Sequence, residues 1–180
     1  EQLKLNGQVI AHTSGSVPGS VLKNVSDNFG IFYPLQTLSR NVSVDFSTIP
    51  ICVDASNAAT LHILRDLGGT LTGKIIEVND EQRFAIHVAA VFANNFTNHL
   101  FSISQMILEQ SGLSFEIFKP LINETVRKIQ NHDPLNVQTG PAVRRDNLTI
   151  ENHLEYLKKD GRFAEIYKVL TADIQRWKPE

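Results

Sequence analysis

From Asn79 to Ser111 the sequence holds neither glycine nor proline, and this run constrains the architecture more than any other feature. Those two residues break helices most strongly. Their absence predicts one helix of about 33 residues, ~50 Å long at 1.5 Å rise per residue. Asn79 with Gln82 three positions later has the pattern of a capping box at its start. Within it, FAIHVAAVFANNFTNHLFSISQ (84–105) is apolar around most of its circumference, with Phe92, Phe96 and Ile103 on one side and Ile86, Leu100 and Ile107 on a flank. Apolarity nearly all round predicts a buried helix.

A polar line interrupts that surface. At 100° per residue Asn94 and Asn98 fall within about 20° of His87, Gln105 returns to the same angle, Val91 lies about 40° away and Asn95 about 80°. Buried amides and an imidazole need partners. The line is therefore an internal hydrogen-bond network, a subunit interface, or the polar wall of a ligand cleft. Spacing alone favours the network or the interface over the cleft, because polar lines in helices more often serve packing and satisfaction.

Before Val78 the pattern is different. QVIAHT (8–13), GIFYPL (30–35), IPICVDA (49–55) and KIIEV (74–78) read as strands bounded by turn residues. SNAATLHILRDLGG (56–69) reads as a helix capped by Ser56, with Leu61, Leu64 and Leu67 at helical spacing and Gly68-Gly69 at its end. Strand, helix, strand predicts part of a parallel or mixed sheet. Beyond Gly112, SFEIFKPLINETVRKIQ (114–130) predicts a helix kinked or broken early at Pro120. NHDPLNVQTGPAVRRDN (131–147) predicts a loop opening a short helix at Pro141, with Thr139 or Gly140 as cap. Two amphipathic helices end the chain, at 149–159 and 162–178. The domain expectation is α/β over 1–78 and all-helical over 79–180.

Charge and cysteine content exclude some functions. With 17 basic and 19 acidic residues the net charge is −2, and no basic stripe marks a nucleic-acid partner. The longest apolar stretch is broken by Asn and His, which argues against a membrane span. The one cysteine, Cys52, cannot form an internal disulfide and suits a reducing, cytoplasmic compartment. In IPICVDA it reads as a packed strand residue. His62, His132 and His153 show no paired ligand spacing, and His99 lies about 120° from His87, so no metal is expected.

HTSGS (12–16), directly after a strand, and QTGPAVRRD (138–146), together with GIFYPLQT and HVAAVFANNFTNHL, closely resemble the DUF2520 family. These bacterial two-domain proteins are described as Rossmann-like oxidoreductases with a C-terminal domain of unknown function. The resemblance covers essentially the whole chain. It extends to the 6-phosphogluconate and 3-hydroxyisobutyrate dehydrogenase superfamily. The fold it implies is α/β followed by all-α, a remnant of a Rossmann-like sheet plus a 6-phosphogluconate dehydrogenase C-terminal-like helical domain. The implied cofactor is NADP or NAD, bound mainly by an N-terminal Rossmann domain preceding Glu1. Its G-x-G-x-x-G/A phosphate loop does not occur in these residues. A homodimer and a small carbonyl or imine substrate are implied as well.

The dehydrogenases carry Lys-x-x-Asn-Asn or Lys-x-x-His-Asn on the long helix. Asn94 and Asn95 match both final positions, and Val91 replaces the lysine. His87, one turn earlier, would take over as general acid/base, its ordinary pKa near 6.5 suiting proton transfer at neutral pH. His87 and Asn95 are thus the implied catalytic residues, and Ser14, Asn94, Asn98 and Arg144 the implied substrate ligands. HTSGS resembles the Ser-Gly-Gly loop after a Rossmann strand, which implies cofactor contacts from His12, Thr13, Ser14 and Gly15. Without the resemblance HTSGS reads as a tight turn, and Arg144-Arg145 reads equally as an anion anchor or as two solvated arginines beside Asp146. The competing function is a non-catalytic nucleotide or metabolite sensor, or a dimerisation module that keeps the fold after losing the lysine.

Overall fold

The computed structural model describes residues 5, 7–40 and 42–177. Lys178, at the end of the last predicted helix, lies outside them. Two compact units divide the chain, Glu1–Asn98 and His99–Glu180. The first therefore keeps the opening of the long helix with the sheet, whereas sequence pattern separates sheet from helices at 78.

All four expected strands form: β1 (Ile10–His12), β2 (Phe29–Pro34), β3 (Ile51–Ala55) and β4 (Ile75–Glu77). They lie in the order β1-β2-β3-β4 as a mixed sheet, β1 parallel to β2, β2 antiparallel to β3, and β3 parallel to β4. The β3–β4 crossover runs through α1 (Ala58–Gly69), the predicted strand–helix–strand unit. Ile51, Cys52 and Val53 are fully buried, as a continuous apolar run in an inner strand requires. Ile51, Val53 and Leu64 form the centre of the core, with Phe32, Leu61 and Ile75 packed against it.

Two details of α1 differ from expectation. The N-cap is Asn57, whose side chain accepts from the Thr60 N–H at 2.9 Å. Ser56 instead donates to the Asp27 carbonyl at 2.7 Å and accepts from the Phe29 N–H at 3.1 Å, so its hydroxyl is used by the entry to β2. The buried face is Thr60, Leu64 and Gly68, at four-residue spacing, and Leu67 is exposed. The next sheet element comes too close to Gly68 for a side chain: a Cβ there would lie 2.5 Å from Ile75 Cδ1.

The long helix starts as predicted. In α2 (Asp80–Ala90) Asn79 Oδ1 accepts from the Gln82 N–H at 2.8 Å, and Gln82 Oε1 accepts from the Asn79 N–H at 3.0 Å. It then departs from uniform geometry: Val91–Phe96 is a π-helical turn, after which α3 (Thr97–Glu109) resumes. A π turn inserts extra chain into the helix, so angles computed at a constant 100° per residue fail beyond Ala90. The expected burial also fails. Phe84, Val88, Phe92 and Phe96 are exposed, Phe92 to 65%. Asn94, Asn95, Asn98 and Gln105 are exposed as well. Apolar periodicity states that a face needs cover; it does not require the cover to come from the same chain.

In the second unit Pro120 occupies the first turn of α4 (Lys119–Asn131), after a 3-10 turn at Phe115–Phe118, where proline costs no hydrogen bond. The helix expected at Pro141 is a turn: the Asp146 N–H donates to the Pro141 carbonyl at 3.0 Å and Arg145 takes a positive φ of 52°. Asp146 is the cap that opens α5 (Asn147–Leu157), accepting from the Thr149 N–H at 3.1 Å. Packing of α5 on α6 (Gly161–Trp177) buries Ile150, Phe163 and Ala164. Among the described residues no helix is long and apolar enough to cross a membrane.

Gly30 tests the tightness of the sheet. A Cβ there would lie 2.5 Å from the Asp54 carbonyl oxygen and 2.5 Å from Leu64 Cδ1. The backbone carbonyl cannot swing aside as a side chain can. Gly30→Ala should cost about 1–3 kcal/mol in urea unfolding, and an unchanged midpoint would refute this packing.

Candidate active site

The site begins at the turn after β1. His12 Nδ1 accepts from the Ser14 N–H at 3.2 Å. Ser14 Oγ accepts from the N–H groups of Ser16 and Val17, at 3.2 and 3.1 Å. Short polar side chains bonding to nearby backbone close the chain into a compact turn.

Arg83, one helical turn before His87, fixes that turn in place. Its side chain is only 2% exposed. Nη1 donates to the Ser14 carbonyl at 3.2 Å, and Nη2 donates to the Val17 carbonyl at 2.7 Å and to Asp80 Oδ1 at 2.6 Å. Asp80 also accepts from the Gly19 N–H at 3.2 Å. Burying a guanidinium is costly unless it is paired and hydrogen-bonded. Here one carboxylate and two carbonyls supply that compensation, and Nε bonds to no described residue.

The result is that Gly15, buried, rests against His87. A Cβ on Gly15 would fall 2.5 Å from His87 Nδ1 and 2.7 Å from Cγ. Tyr33, from β2, brings its hydroxyl 3.3 Å from the same Nδ1, with the two rings edge to face. Burial raises the Tyr33 pKa, the neighbouring Cys52 acts in the same direction, and Arg83 opposes them. The phenol therefore stays protonated at neutral pH. Burial likewise pushes the Cys52 thiol up, which removes it as a nucleophile.

These groups border a cleft of about 700 Å³ within the first unit. One wall is Thr13, Gly15, Tyr33 and Leu35 to Thr37; the other is the helix from Ile86 to Asn95, including His87, Val91, Asn94 and Asn95. Of the residues expected from sequence, Thr13, Gly15, His87, Asn94 and Asn95 meet here. Val91 also faces the cleft. The π turn covers Val91 to Phe96, and such turns recur at functional sites.

Other expected residues lie elsewhere. His12 and Ser14 are not among the cleft residues; their polar atoms close the turn, His12 Nε2 lying 3.3 Å from the Pro18 carbonyl. Asn98 is exposed and outside the lining. Arg144 is exposed in the turn before α5 of the second unit. Sequence reasoning missed Tyr33. A phenol in an apolar strand is a polar tip that needs a partner, and that was the available signal. Among the described residues no three His, Cys, Asp or Glu side chains gather as a metal site.

Residues 49–174 match the family model of a domain of unknown function, DUF2520. The crystal structure of BF3122 from Bacteroides fragilis, described as a candidate NADP oxidoreductase, is 38% identical, with 93% of this chain covered and a TM-score of 0.90. This chain spans 65% of that protein's length. Protein TM1727 from Thermotoga maritima shares the fold at 20% identity and a TM-score of 0.80, covering 97% of this chain and 70% of its own. No curated protein matches the chain.

Arg83→Met leaves the Ser14 and Val17 carbonyls without their donor, while Asp80 stays partly hydrated. We expect a loss of about 2–4 kcal/mol in chemical denaturation. A cost under about 0.5 kcal/mol would mean the guanidinium does not hold the turn.

Proposed function

The chain belongs to the DUF2520 family, and on that premise we propose that it forms the C-terminal part of an NAD(P)-dependent oxidoreductase acting on a small carbonyl or imine compound. The observation that carries this reading is the cleft in which His87, Asn94 and Asn95 face Thr13 and Gly15. Residues 1–78 would complete a Rossmann-like domain whose N-terminal part binds most of the cofactor, and 79–180 would be the dimerisation and substrate domain.

The residues present fit one end of such a cofactor. Thr13 and Gly15 follow the C-terminal end of a strand paired in parallel, where open α/β sheets receive ligands. A short side chain and a glycine allow close backbone approach. When bound, the cofactor would supply or accept a hydride. His87 would exchange a proton with the substrate oxygen or nitrogen. Asn95 would donate to the same polar atom, and Asn94 would hold a second polar substituent. Val91, apolar, would keep water from the reacting carbon. His12 and Ser14 would shape the loop. NADP is the first cofactor to test, given the description of the BF3122 protein.

We also propose that a second copy of the chain covers the exposed face formed by Phe84, Val88, Phe92 and Phe96. Phe92 and Phe96 stack edge to face at 5.0 Å, a preformed aromatic surface of the kind oligomer interfaces bury.

In the full-length protein NADPH should raise the melting temperature, by about 2.7 kcal/mol of stabilisation at a hundredfold excess over Kd. His87→Gln should lower kcat by about 10²-fold or more while cofactor affinity is kept. Stabilisation by neither NADPH nor NADH would overturn the redox reading; stabilisation without turnover in either form would establish a sensor. Phe92→Asp should convert a dimer to a monomer in sedimentation equilibrium, and a parent protein already monomeric would remove the dimer proposal.

A further inference from the structure

The His87–Tyr33 contact specifies more than proximity. We propose that Tyr33 is a positioning residue: its hydroxyl donates to His87 Nδ1 and, with Gly15 against the same edge of the ring, holds the imidazole as the tautomer protonated on Nε2. This rests on the reading of His87 as the proton-transfer group of the cleft.

Three observations converge on it. Tyr33 Oη lies 3.3 Å from Nδ1, with ring centroids 6.2 Å apart at 72°. A neutral imidazole has one nitrogen that donates and one that accepts, and the partner of one nitrogen sets the role of the other. A phenol O–H is more acidic than an imidazole N–H, and the imidazole lone pair is more basic than the phenol oxygen. The bond therefore runs from Tyr33 to Nδ1. Burial keeps the phenol in the protonated form that can donate.

Gly15 supplies the steric half. Its missing Cβ would sit 2.5 Å from Nδ1, 2.7 Å from Cγ and 3.0 Å from His87 Cβ. Any other residue at 15 would force the ring or the turn to move. No described residue bonds to Nε2, the nitrogen on the opposite side of a ring that borders the cleft. Nε2–H is then the proton presented to a substrate atom. A superfamily lysine carries its proton on a long flexible stem. A histidine here needs its tautomer fixed instead, and β2 provides the means.

The test reads the tautomer directly. In full-length protein labelled with ¹⁵N-histidine, long-range ¹H–¹⁵N correlation spectra assign the proton on neutral His87. The parent should show Nε2–H, and Tyr33→Phe, which keeps the ring and removes only the hydroxyl, should shift His87 toward a mixture. Gly15→Ala should move the same resonances. In turnover assays Tyr33→Phe should lower kcat by roughly tenfold or more with KM little changed. Nδ1–H in the parent, or the same tautomer ratio in Tyr33→Phe, overturns the proposal whatever the activity. A tautomer shift in a protein that His87→Gln leaves equally active supports the positioning role and defeats the catalytic reading, so the two failures are distinct.

Discussion

The buried guanidinium of Arg83 organises the first unit. Arg83 reaches from α2 to the carbonyls of Ser14 and Val17, and Asp80 on the same turn of helix completes its charge and takes up Gly19. Loops seldom hold a fixed position against a helix, because each ordered residue costs conformational entropy. Here the turn is held by charge-assisted hydrogen bonds from a buried guanidinium. Because Arg83 and His87 are one turn apart on α2, fixing the loop on the first fixes Gly15 on the second. The cleft is a consequence of that geometry.

The helix contributes a second irregularity. A uniform α-helix would bring His87, Asn94 and Asn98 into one line. The π turn at Val91–Phe96 breaks the line: Asn94 and Asn95 line the cleft with His87, while Asn98 does not. Val91 leaves this stretch of the wall apolar.

Much of this was readable before any coordinates. The four strands, the strand–helix–strand unit, the Asn79–Gln82 capping box and the stop at Gly112 all follow from local chemistry: side-chain alternation, short-range hydrogen bonds, and the backbone freedom of glycine. The misreadings have equally local causes. Ser56 and Asn57 are both good caps, and only the position of β2 decides which hydroxyl or amide is free. Pro141 begins helices and turns alike, and the positive φ at Arg145 selects the turn. Of Leu61, Leu64 and Leu67 only Leu67 stays exposed, because Gly68 beside it lets Ile75 approach α1 closely.

The candidate site divides the same way. Sequence alone identified His87, Asn94 and Asn95 as polar groups on an apolar helix, and HTSGS as a turn after a strand, since composition and spacing carry that information. It could not show that Arg83 is buried, that Tyr33 reaches His87 across 54 positions of chain, or that Gly15 exists to make room for an imidazole. These are long-range contacts, made when β1, β2 and α2 come together, and no local pattern encodes a distance between segments far apart in the chain. Nor could periodicity say that the apolar face of Phe84 to Phe96 would be left exposed by the chain's own residues. The sequence determined which groups are available; the tertiary structure decided which of them touch.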